Sequence, residues 1–369
     1  MKNFVRSILL LLTLCLLLGG CGGNDPVDTN AIDLVESDAP PTDSQTENEQ
    51  TTGGSQQVSG DVNMWKYTTS GGVNVREITI DSGKGGDDVH IVHLTDIHIN
   101  YCTAEDLKDP VLKSTYENRV WLKNFAVKAN LERCLNFAKD ADQIVITGDI
   151  YDYLSQGAIN MTKQYIFDPY PTVMACLGNH ESVRKCQGTV AENTSFEQRM
   201  AILEQNWVND IYYASRVIGD KVMVITMDNG SRGGTGSFWD CQVEPFRKDL
   251  ATARENGYVV LVFYHIPIST GNAKYYNTRA IQIGDKNSSV QNFFSKGIGS
   301  TSIGADKEIY DLIINNGDII KGTFSGHHHN DFYTEIKAKT PSGEQVMIPQ
   351  YVVNGVPYGT GNAMSIIVK

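Results

Sequence analysis

Residues 89–98 have the sequence VHIVHLTDIH, in which a largely apolar run leads directly into Asp96 and His98. A short apolar run that ends in polar residues is typical of a β-strand buried on both faces. In sheets built from such strands, ligand sites lie beyond the carboxyl ends of the strands. The stretch therefore predicts a buried strand whose end carries two side chains that can bind a metal ion.

The same pattern recurs at four later points in the chain. Each is a run rich in Val, Ile, Tyr or Phe that ends in Asp, Asn or His. The runs are residues 143–147, 172–177, 258–264 and 319–324. The polar groups that follow them are Gly148-Asp149-Ile150-Tyr151-Asp152, Gly178-Asn179-His180-Glu181, His265 and Gly326-His327-His328-His329. We therefore expect five strand ends to meet at one site.

The remaining chain beyond residue 60 has the alternation of an α/β protein. The spacing of apolar residues predicts helices over residues 118–139, 195–208, 243–256 and 307–316. Further strands are predicted over residues 222–227, 345–353 and 365–368. Strands that alternate with helices indicate layers of helix packed on sheet, and the strands near the end of the chain predict antiparallel hairpins in one sheet.

Taken one at a time, the five polar groups have ordinary explanations. A strand-end Asp often caps a turn, a lone His is more often a core residue, and three consecutive histidines can form an adventitious metal-binding tract. Their joint occurrence, in order, favours one metal site. On extended chain, residues i and i+2 point to the same side, so we expect Asp96 and His98 to face one centre. For the same reason we expect His327 and His329 to face one centre and His328 to point away from it.

This ordered set, DxH, GDxxD, GNHE, H and GHxH, resembles the calcineurin-like metallophosphoesterase family over residues 89–330. The resemblance implies a four-layer α/β/β/α sandwich of two mixed sheets, with two divalent metal ions at the strand ends. By motif position, it implies that one metal is bound by Asp96, His98, Asp149 and His329. The second metal would be bound by Asp149, Asn179, His265 and His327, so that Asp149 bridges the pair.

The resemblance also implies roles for residues that do not bind metal. His180 would be the catalytic histidine near the leaving group, and Asp152 and Glu181 would support the ligands. Purple acid phosphatases carry Tyr in place of Asp152 and lack the His of DxH. His98 and Asp152 therefore speak against that branch of the family.

The implied chemistry is hydrolysis of a phosphate ester by a hydroxide that bridges the two metals. Two divalent ions about 3.5–4 Å apart can lower the pKa of a shared water and neutralise the phosphoryl oxygens. Carboxylate, amide and imidazole ligands without a thiolate suit Mn, Fe or Zn. A phosphodiesterase or nuclease could use the same centre, and a catalytically idle binding or scaffold protein could retain the fold.

Two segments are expected to form the rim that selects the phosphate-ester substrate, whose identity the motifs do not specify. They are residues 100–117 and residues 268–305, and the second is long for a connection and rich in Gly, Ser and Asn. Its candidate substrate contacts are Tyr275, Tyr276, Arg279 and Phe293.

The chain begins with a segment typical of an export signal. Lys2 and Arg6 precede an apolar run over residues 8–18, which is too short to cross a bilayer. The sequence Leu18-Gly19-Gly20-Cys21 resembles the bacterial lipobox, so we expect cleavage before Cys21 and lipidation of its sulfur. Lipidation would anchor the protein to the cell membrane on its extracytoplasmic face. A plain signal peptide, in which Cys21 is incidental, is the alternative.

Charge is unevenly distributed along the chain, whose formal net charge is −12. The signal, residues 1–20, carries +2, and residues 21–60 carry −8 with no aromatic residue, which predicts a disordered acidic tether. The phosphoesterase domain, residues 61–369, is left with −6. We therefore expect no nucleic acid binding through a basic surface, and an anionic substrate would depend on the metal ions for attraction.

Overall fold

The computed structural model describes residues 65–119, 126–182, 194–232, 236–268 and 304–369. Several expectations lie outside these residues: the signal, the tether, Cys21 and the four candidate contacts between residues 268 and 305. Among the described residues, no helix is both long and apolar enough to span a bilayer.

Two six-stranded sheets form the centre of the fold. In spatial order, the first contains β1 (Lys66–Ser70), β2 (Val73–Ile80), β12 (Asn362–Val368), β3 (Val89–Leu94), β4 (Gln143–Thr147) and β5 (Met174–Cys176). The second contains β10 (Phe332–Lys339), β11 (Gln345–Val352), β9 (Ile320–Ser325), β8 (Val259–Phe263), β7 (Val222–Met227) and β6 (Tyr213–Ile218). Both sheets are mixed. In the first sheet, β1 with β2 and β12 with β3 are antiparallel, and the other neighbouring strands are parallel. In the second sheet, the central strands β11, β9, β8 and β7 are parallel, and the edge strands β10 and β6 pair with them antiparallel.

Six α-helices accompany the sheets in the described ranges, and the ends of two of them show clear capping residues. They are α1 (Pro110–Asn118), α2 (Val127–Ala138), α3 (Gln156–Thr162), α4 (Phe196–Asn206), α5 (Asp240–Asn256) and α6 (Gly304–Ile314). Helix α4 begins with a capping box, in which Ser195 and Gln198 exchange side chain to backbone hydrogen bonds. Helix α5 ends at Gly257, whose φ of 68° is the left-handed conformation that glycine adopts without strain.

Alternating side chains bury both faces of each sheet. In β3, Ile91 packs in the space between the sheets, whereas Val92 and Leu94 pack in the core that includes α2, α3 and α4. In β8, Leu261 packs between the sheets, whereas Val260 packs in the core that includes α5 and α6. The order of layers is therefore helix, sheet, sheet, helix. The four-layer α/β/β/α sandwich of two mixed sheets is confirmed.

The strands that the sequence pattern misses lie mainly at sheet edges. Strands β1 and β6 are largely exposed, so they lack the apolar runs that identify the central strands. The predicted hairpin near the end of the chain is β10 with β11. The last strand, β12, instead lies in the first sheet between β2 and β3. The helix predicted over residues 118–139 corresponds to α2 alone, and residues 120–125 lie outside the described ranges.

Candidate metal centre

The five predicted strand ends meet at one edge of the two sheets. Strands β3, β4 and β5 of the first sheet and β8 and β9 of the second each deliver polar side chains to this edge. Besides a set formed by His98, Asp152 and His180, two groups of candidate ligand atoms form there, and in each of these all atoms lie within 4.8 Å of one another. The first group is Asp96, His98, Asp149 and His329, and the second is Asp149, His265 and His327. Asp149 belongs to both groups.

The first group gathers imidazole nitrogens around carboxylate oxygens. The Nε2 atom of His329 lies 3.2 Å from Asp96 Oδ1 and 2.9 Å from the Nε2 atom of His98. His98 Nε2 is also 3.8 Å from Asp149 Oδ2. Where the four side chains meet, their nitrogen and oxygen atoms carry more lone pairs than there are protons to share. A divalent cation would therefore accept these lone pairs together. Their chemistry fits a metal site.

The second group extends from Asp149 on the other side. His265 Nε2 lies 3.2 Å from Asp149 Oδ2 and 3.1 Å from the amide oxygen of Asn179. The rings of His265 and His327 have centroids 5.1 Å apart. Asn179 thus lies beside the second group, and its oxygen is of the type that binds divalent cations.

The backbone of the candidate ligands is strained. Six non-glycine residues in the described part of the chain have φ in the left-handed region, and five of them are candidate ligands: Asp96 (50°), His98 (53°), Asp149 (49°), His327 (70°) and His329 (50°). Such conformations cost roughly 1–3 kcal/mol each and cluster at functional sites.

These φ angles differ from those of the extended chain on which the prediction for Asp96 and His98 was based. Asp96 and His98 do not alternate as strand residues, because both follow the end of β3 and both are left-handed. The same holds for His327 and His329, which follow the end of β9 and enter different groups of candidate ligands. The residues converge through local turns whose φ angles the tertiary fold imposes.

Two glycines let the ligand turns approach each other. A Cβ atom at Gly178 would overlap the Asp149 carboxylate, and a Cβ atom at Gly326 would overlap the side chains of Thr95 and Asp96. The glycines before Asn179 and His327 are therefore required by close contact.

Hydrogen bonds and charge fix the states of His265 and Asp149. His265 Nδ1 donates to the Thr147 carbonyl oxygen at 2.7 Å, which directs Nε2 toward Asp149. Burial opposes the charging of His265, but the Asp149 carboxylate outweighs it and raises the pKa of His265 to about 9. Burial alone would raise the pKa of Asp149, but His265 and His180 hold that pKa well below its usual range. Asp149 is therefore an anion, as a ligand shared by two cations must be.

His180 belongs to neither of the two groups that share Asp149, and its ring nitrogen clusters instead with the ligand atoms of His98 and Asp152. Its Nδ1 atom donates to the carbonyl oxygen of Asp152 at 2.8 Å, and its ring packs edge-on against His98 at a centroid distance of 4.7 Å. The Asp152 carboxylate lies 3.4 Å from His98 Nδ1 and accepts two hydrogen bonds from Arg119. Asp152 therefore contacts the Nδ1 side of both His98 and His180. Its partner Arg119 is a residue that the sequence motifs do not identify.

Glu181 holds the turn that carries Asp149. Its carboxylate accepts hydrogen bonds from the backbone N–H groups of Asp149 at 3.1 Å, Ile150 at 2.6 Å, Tyr151 at 3.0 Å and Gly178 at 2.7 Å. Burial raises the pKa of Glu181 to about 7, and repulsion from Asp149 adds to the shift. The Glu181 carboxylate thus holds the backbone of both turns, the one that carries Asp149 and the one that carries Asn179.

Asn229 is a further residue that the motifs miss. Its side chain donates to the carbonyl oxygen of Ile266 at 2.7 Å and accepts from the N–H of Ile266 at 2.9 Å. Ile266 directly follows His265, so Asn229 fixes the backbone of that candidate ligand. A signal was present in the sequence, because Asp228 and Asn229 are polar residues directly after the apolar strand β7.

Comparison with known proteins identifies the family. The model of the calcineurin-like phosphoesterase family matches residues 89–331. Among solved structures, a dimetal phosphatase from Danio rerio is similar with 12% identity and a TM-score of 0.42, over 73% of this chain and 88% of that chain. A purple acid phosphatase from yellow lupin (Lupinus luteus) seeds is similar with 14% identity and a TM-score of 0.41, over 78% of this chain.

The chain spans 47% of the length of the lupin enzyme. No match was found among curated protein sequences. The family match covers well over half of the chain and contains all five motifs. The chain therefore belongs to the calcineurin-like phosphoesterase family.

Proposed function

We propose that this protein hydrolyses phosphate esters with two divalent metal ions. Asp96, His98, Asp149 and His329 would bind one ion, and Asp149, Asn179, His265 and His327 would bind the other. The observation that carries the proposal is that two compact groups of candidate ligands share the Asp149 carboxylate. A shared anionic carboxylate is what two adjacent cations need as a bridge, and the mixed oxygen and nitrogen ligands suit Mn, Fe or Zn.

The bound ions would supply an activated water at neutral pH and positive charge for the phosphoryl oxygens. The chain's own residues prepare the site for this. Glu181 holds the turn of Asp149, and the carbonyl oxygen of Thr147 fixes His265 with Nε2 facing the site. A phosphate ester would otherwise be repelled, since Asp96 and Asp149 are both anionic, so binding of the cations and of substrate are coupled.

We assign proton transfer to the leaving group to His180. Its Nδ1 atom is held by the carbonyl oxygen of Asp152, so the proton that the ring donates would leave from Nε2. The anionic Asp152 carboxylate lies 3.6 Å from Nδ1. General acid catalysis of this type contributes about 10²- to 10⁴-fold in rate.

Metal analysis together with hydrolysis tests the proposal. The wild-type protein should contain two equivalents of metal, hydrolyse a nitrophenyl phosphate monoester or the bis-ester when supplied with Mn²⁺, and lose activity to a chelator. Comparison of the two substrates separates a phosphomonoesterase from a phosphodiesterase. Asp149→Asn should abolish both metal loading and activity, because the shared anion is lost.

A matched control is available for Asp149→Asn. Asp220 is also an aspartate with left-handed φ, at 50°, but it lies exposed in the turn between β6 and β7. Asp220→Asn should leave metal content and activity unchanged. Retention of two metals by Asp149→Asn would overturn the shared-ligand assignment.

We further propose that the protein is a lipoprotein anchored at Cys21 outside the cytoplasm. The lipobox-like sequence before Cys21 carries this proposal, and the disulfide-bonded state of Cys241 supports it because disulfides persist in oxidising compartments. Cys21→Ser should leave the protein uncleaved or released from the membrane, whereas Cys15→Ser should change neither outcome. Unchanged cleavage and membrane association of Cys21→Ser would refute the anchor.

A further inference from the structure

His329 differs from His98 and His265 in the partner of its second ring nitrogen. His265 Nδ1 donates to a backbone carbonyl oxygen, and His98 Nδ1 faces the Asp152 carboxylate. His329 Nδ1 instead lies 2.6 Å from the phenol oxygen of Tyr358. Tyr358 lies outside the family match, which ends at residue 331.

The tautomer of His329 decides whether it can bind a metal through Nε2. That atom is the one that faces the site, 3.2 Å from Asp96 Oδ1. A neutral imidazole binds metal through the nitrogen that carries no proton, so the proton must then lie on Nδ1. A hydroxyl at hydrogen-bond distance from Nδ1 can accept that proton's hydrogen bond and stabilise this tautomer.

The loop that carries Tyr358 is held firmly against the site. It connects β11 to β12, and the backbone N–H of Val356 donates to the carbonyl oxygen of Thr95 at 3.1 Å. A Cβ atom at Gly355 would lie 2.9 Å from that of Asp96, so the loop touches a candidate ligand directly. The position of the phenol oxygen is therefore linked to the position of the site.

Two buried asparagines fix the loop backbone from behind. Asn362 donates to the carbonyl oxygens of Gly355 at 2.8 Å and Tyr358 at 2.9 Å. Asn130, on α2, donates to the carbonyl oxygens of Pro357 at 2.8 Å and Gly359 at 3.2 Å. Both residues adjacent to Tyr358 are thus tied to α2, which leaves the ring little freedom to move away from His329.

We propose that Tyr358 is a positioning residue for the metal site that contains His329. Its hydroxyl accepts a hydrogen bond from the Nδ1–H group of His329 and so keeps Nε2 unprotonated and directed at Asp96. This role rests on the proposed function, because it requires His329 to bind metal. It predicts that the hydroxyl controls the affinity of one metal and not the other.

Titration of the metal-free protein with Mn²⁺, followed by calorimetry, tests this role without any measurement of activity. Tyr358→Phe keeps the ring and removes the hydroxyl. We expect it to weaken one Mn²⁺ site about 10- to 100-fold and to leave the other unchanged. Tyr213→Phe is the matched control, because its phenol donates to Asp249 at 2.7 Å away from the site. It should leave both affinities unchanged.

A double-mutant cycle separates positioning from a general loss of structure. In a His329→Ala background, Tyr358→Phe should cause no further loss of Mn²⁺ affinity, because the hydroxyl acts through His329. Equal losses in both backgrounds, or unchanged affinity of Tyr358→Phe beside a wild type that binds two Mn²⁺, would overturn this inference alone. A wild type that binds no Mn²⁺ would overturn the proposed function as well.

Discussion

Arg119 donates hydrogen bonds to both carboxylate oxygens of Asp152, from Nε to Oδ2 at 2.9 Å and from Nη2 to Oδ1. The pair is largely buried, with 12% of the Arg119 side chain and none of the Asp152 side chain exposed. Burial alone would raise the pKa of Asp152, but His98 and Arg119 outweigh burial and lower that pKa. Asp152 is therefore a buried anion that stands behind His98 and His180.

Loss of Arg119 should destabilise the protein and disturb the site. Arg119→Gln leaves the Asp152 charge buried without its cation, which costs about 3 kcal/mol of the free energy of unfolding. Urea unfolding measures this cost. Arg254→Gln is the control, because Arg254 and Asp318 form a similar two-point pair that is more exposed and contributes under about 1 kcal/mol. Equal losses of unfolding free energy in the two variants would contradict the conclusion that burial makes the Arg119–Asp152 pair the more stabilising one.

The same pair predicts a pH dependence with a definite sign. Asp152 has a folded-state pKa below its ordinary value of 3.8, so its contribution to stability is present above about pH 4. That contribution is lost as the pH falls through the lowered folded-state pKa. The difference in unfolding free energy between the wild type and Arg119→Gln should therefore be constant near neutral pH and narrow in acid. A difference that widens in acid would contradict this assignment.

Replacement of His180 should slow turnover and spare the metals. His180→Ala removes the ring that we assign as general acid, so kcat should fall about 10²- to 10⁴-fold while elemental analysis still finds the wild-type metal content. The loss should be larger for phenyl phosphate than for nitrophenyl phosphate, because the poorer leaving group needs the proton more. His90→Ala is the control, since His90 is a half-buried histidine on β3 that bonds to Ser365. Loss of metal from His180→Ala would contradict its assignment.

Addition of one methyl group at Gly326 should damage the site. The Cβ atom of Gly326→Ala would overlap Thr95 Oγ1 and Asp96 Oδ2, and Asp96 is a candidate ligand. We expect weaker Mn²⁺ binding together with a loss of stability of about 1–3 kcal/mol. Gly85→Ala, where no atom lies within 4 Å of the added Cβ, should change neither quantity. If Gly326→Ala binds Mn²⁺ with wild-type affinity, the site accommodates the added Cβ atom and this prediction is wrong.

The sequence predicted the central strands and the candidate ligands because one physical rule governs both. Each central strand is buried and therefore apolar, and its end is marked by the polar residues of the site, as in Val89–Leu94 followed by Asp96 and His98. The left-handed φ angles could not be predicted, because non-glycine residues seldom adopt them and the tertiary packing imposes them here.

The supporting residues were hidden for a different reason. Arg119 and Tyr358 contact Asp152 and His329 from segments that lie 33 and 29 residues away along the chain. Neither residue lies at the end of an apolar strand, so nothing in the local pattern distinguishes them from other surface residues. The pairing depends on how helices and loops pack over the strand ends, and that packing is a property of the folded chain.

Asn229 offers a test of whether a supporting residue can act on one metal site alone. Its amide bonds to both backbone groups of Ile266, the neighbour of His265, and it is fully buried. Asn229→Ala should leave two buried backbone groups without partners, at a cost of about 1–3 kcal/mol each, and should loosen His265. The Mn²⁺ site that contains His265 should weaken, while the site that contains His329 should not. Asn256→Ala, which removes an exposed bond to the Thr252 carbonyl, is the control. Tyr358→Phe should weaken the other site, the one that contains His329. Each variant should therefore lose one metal selectively, and the metal lost should differ between them. Loss of the same metal in both variants would contradict the division of ligands between the sites.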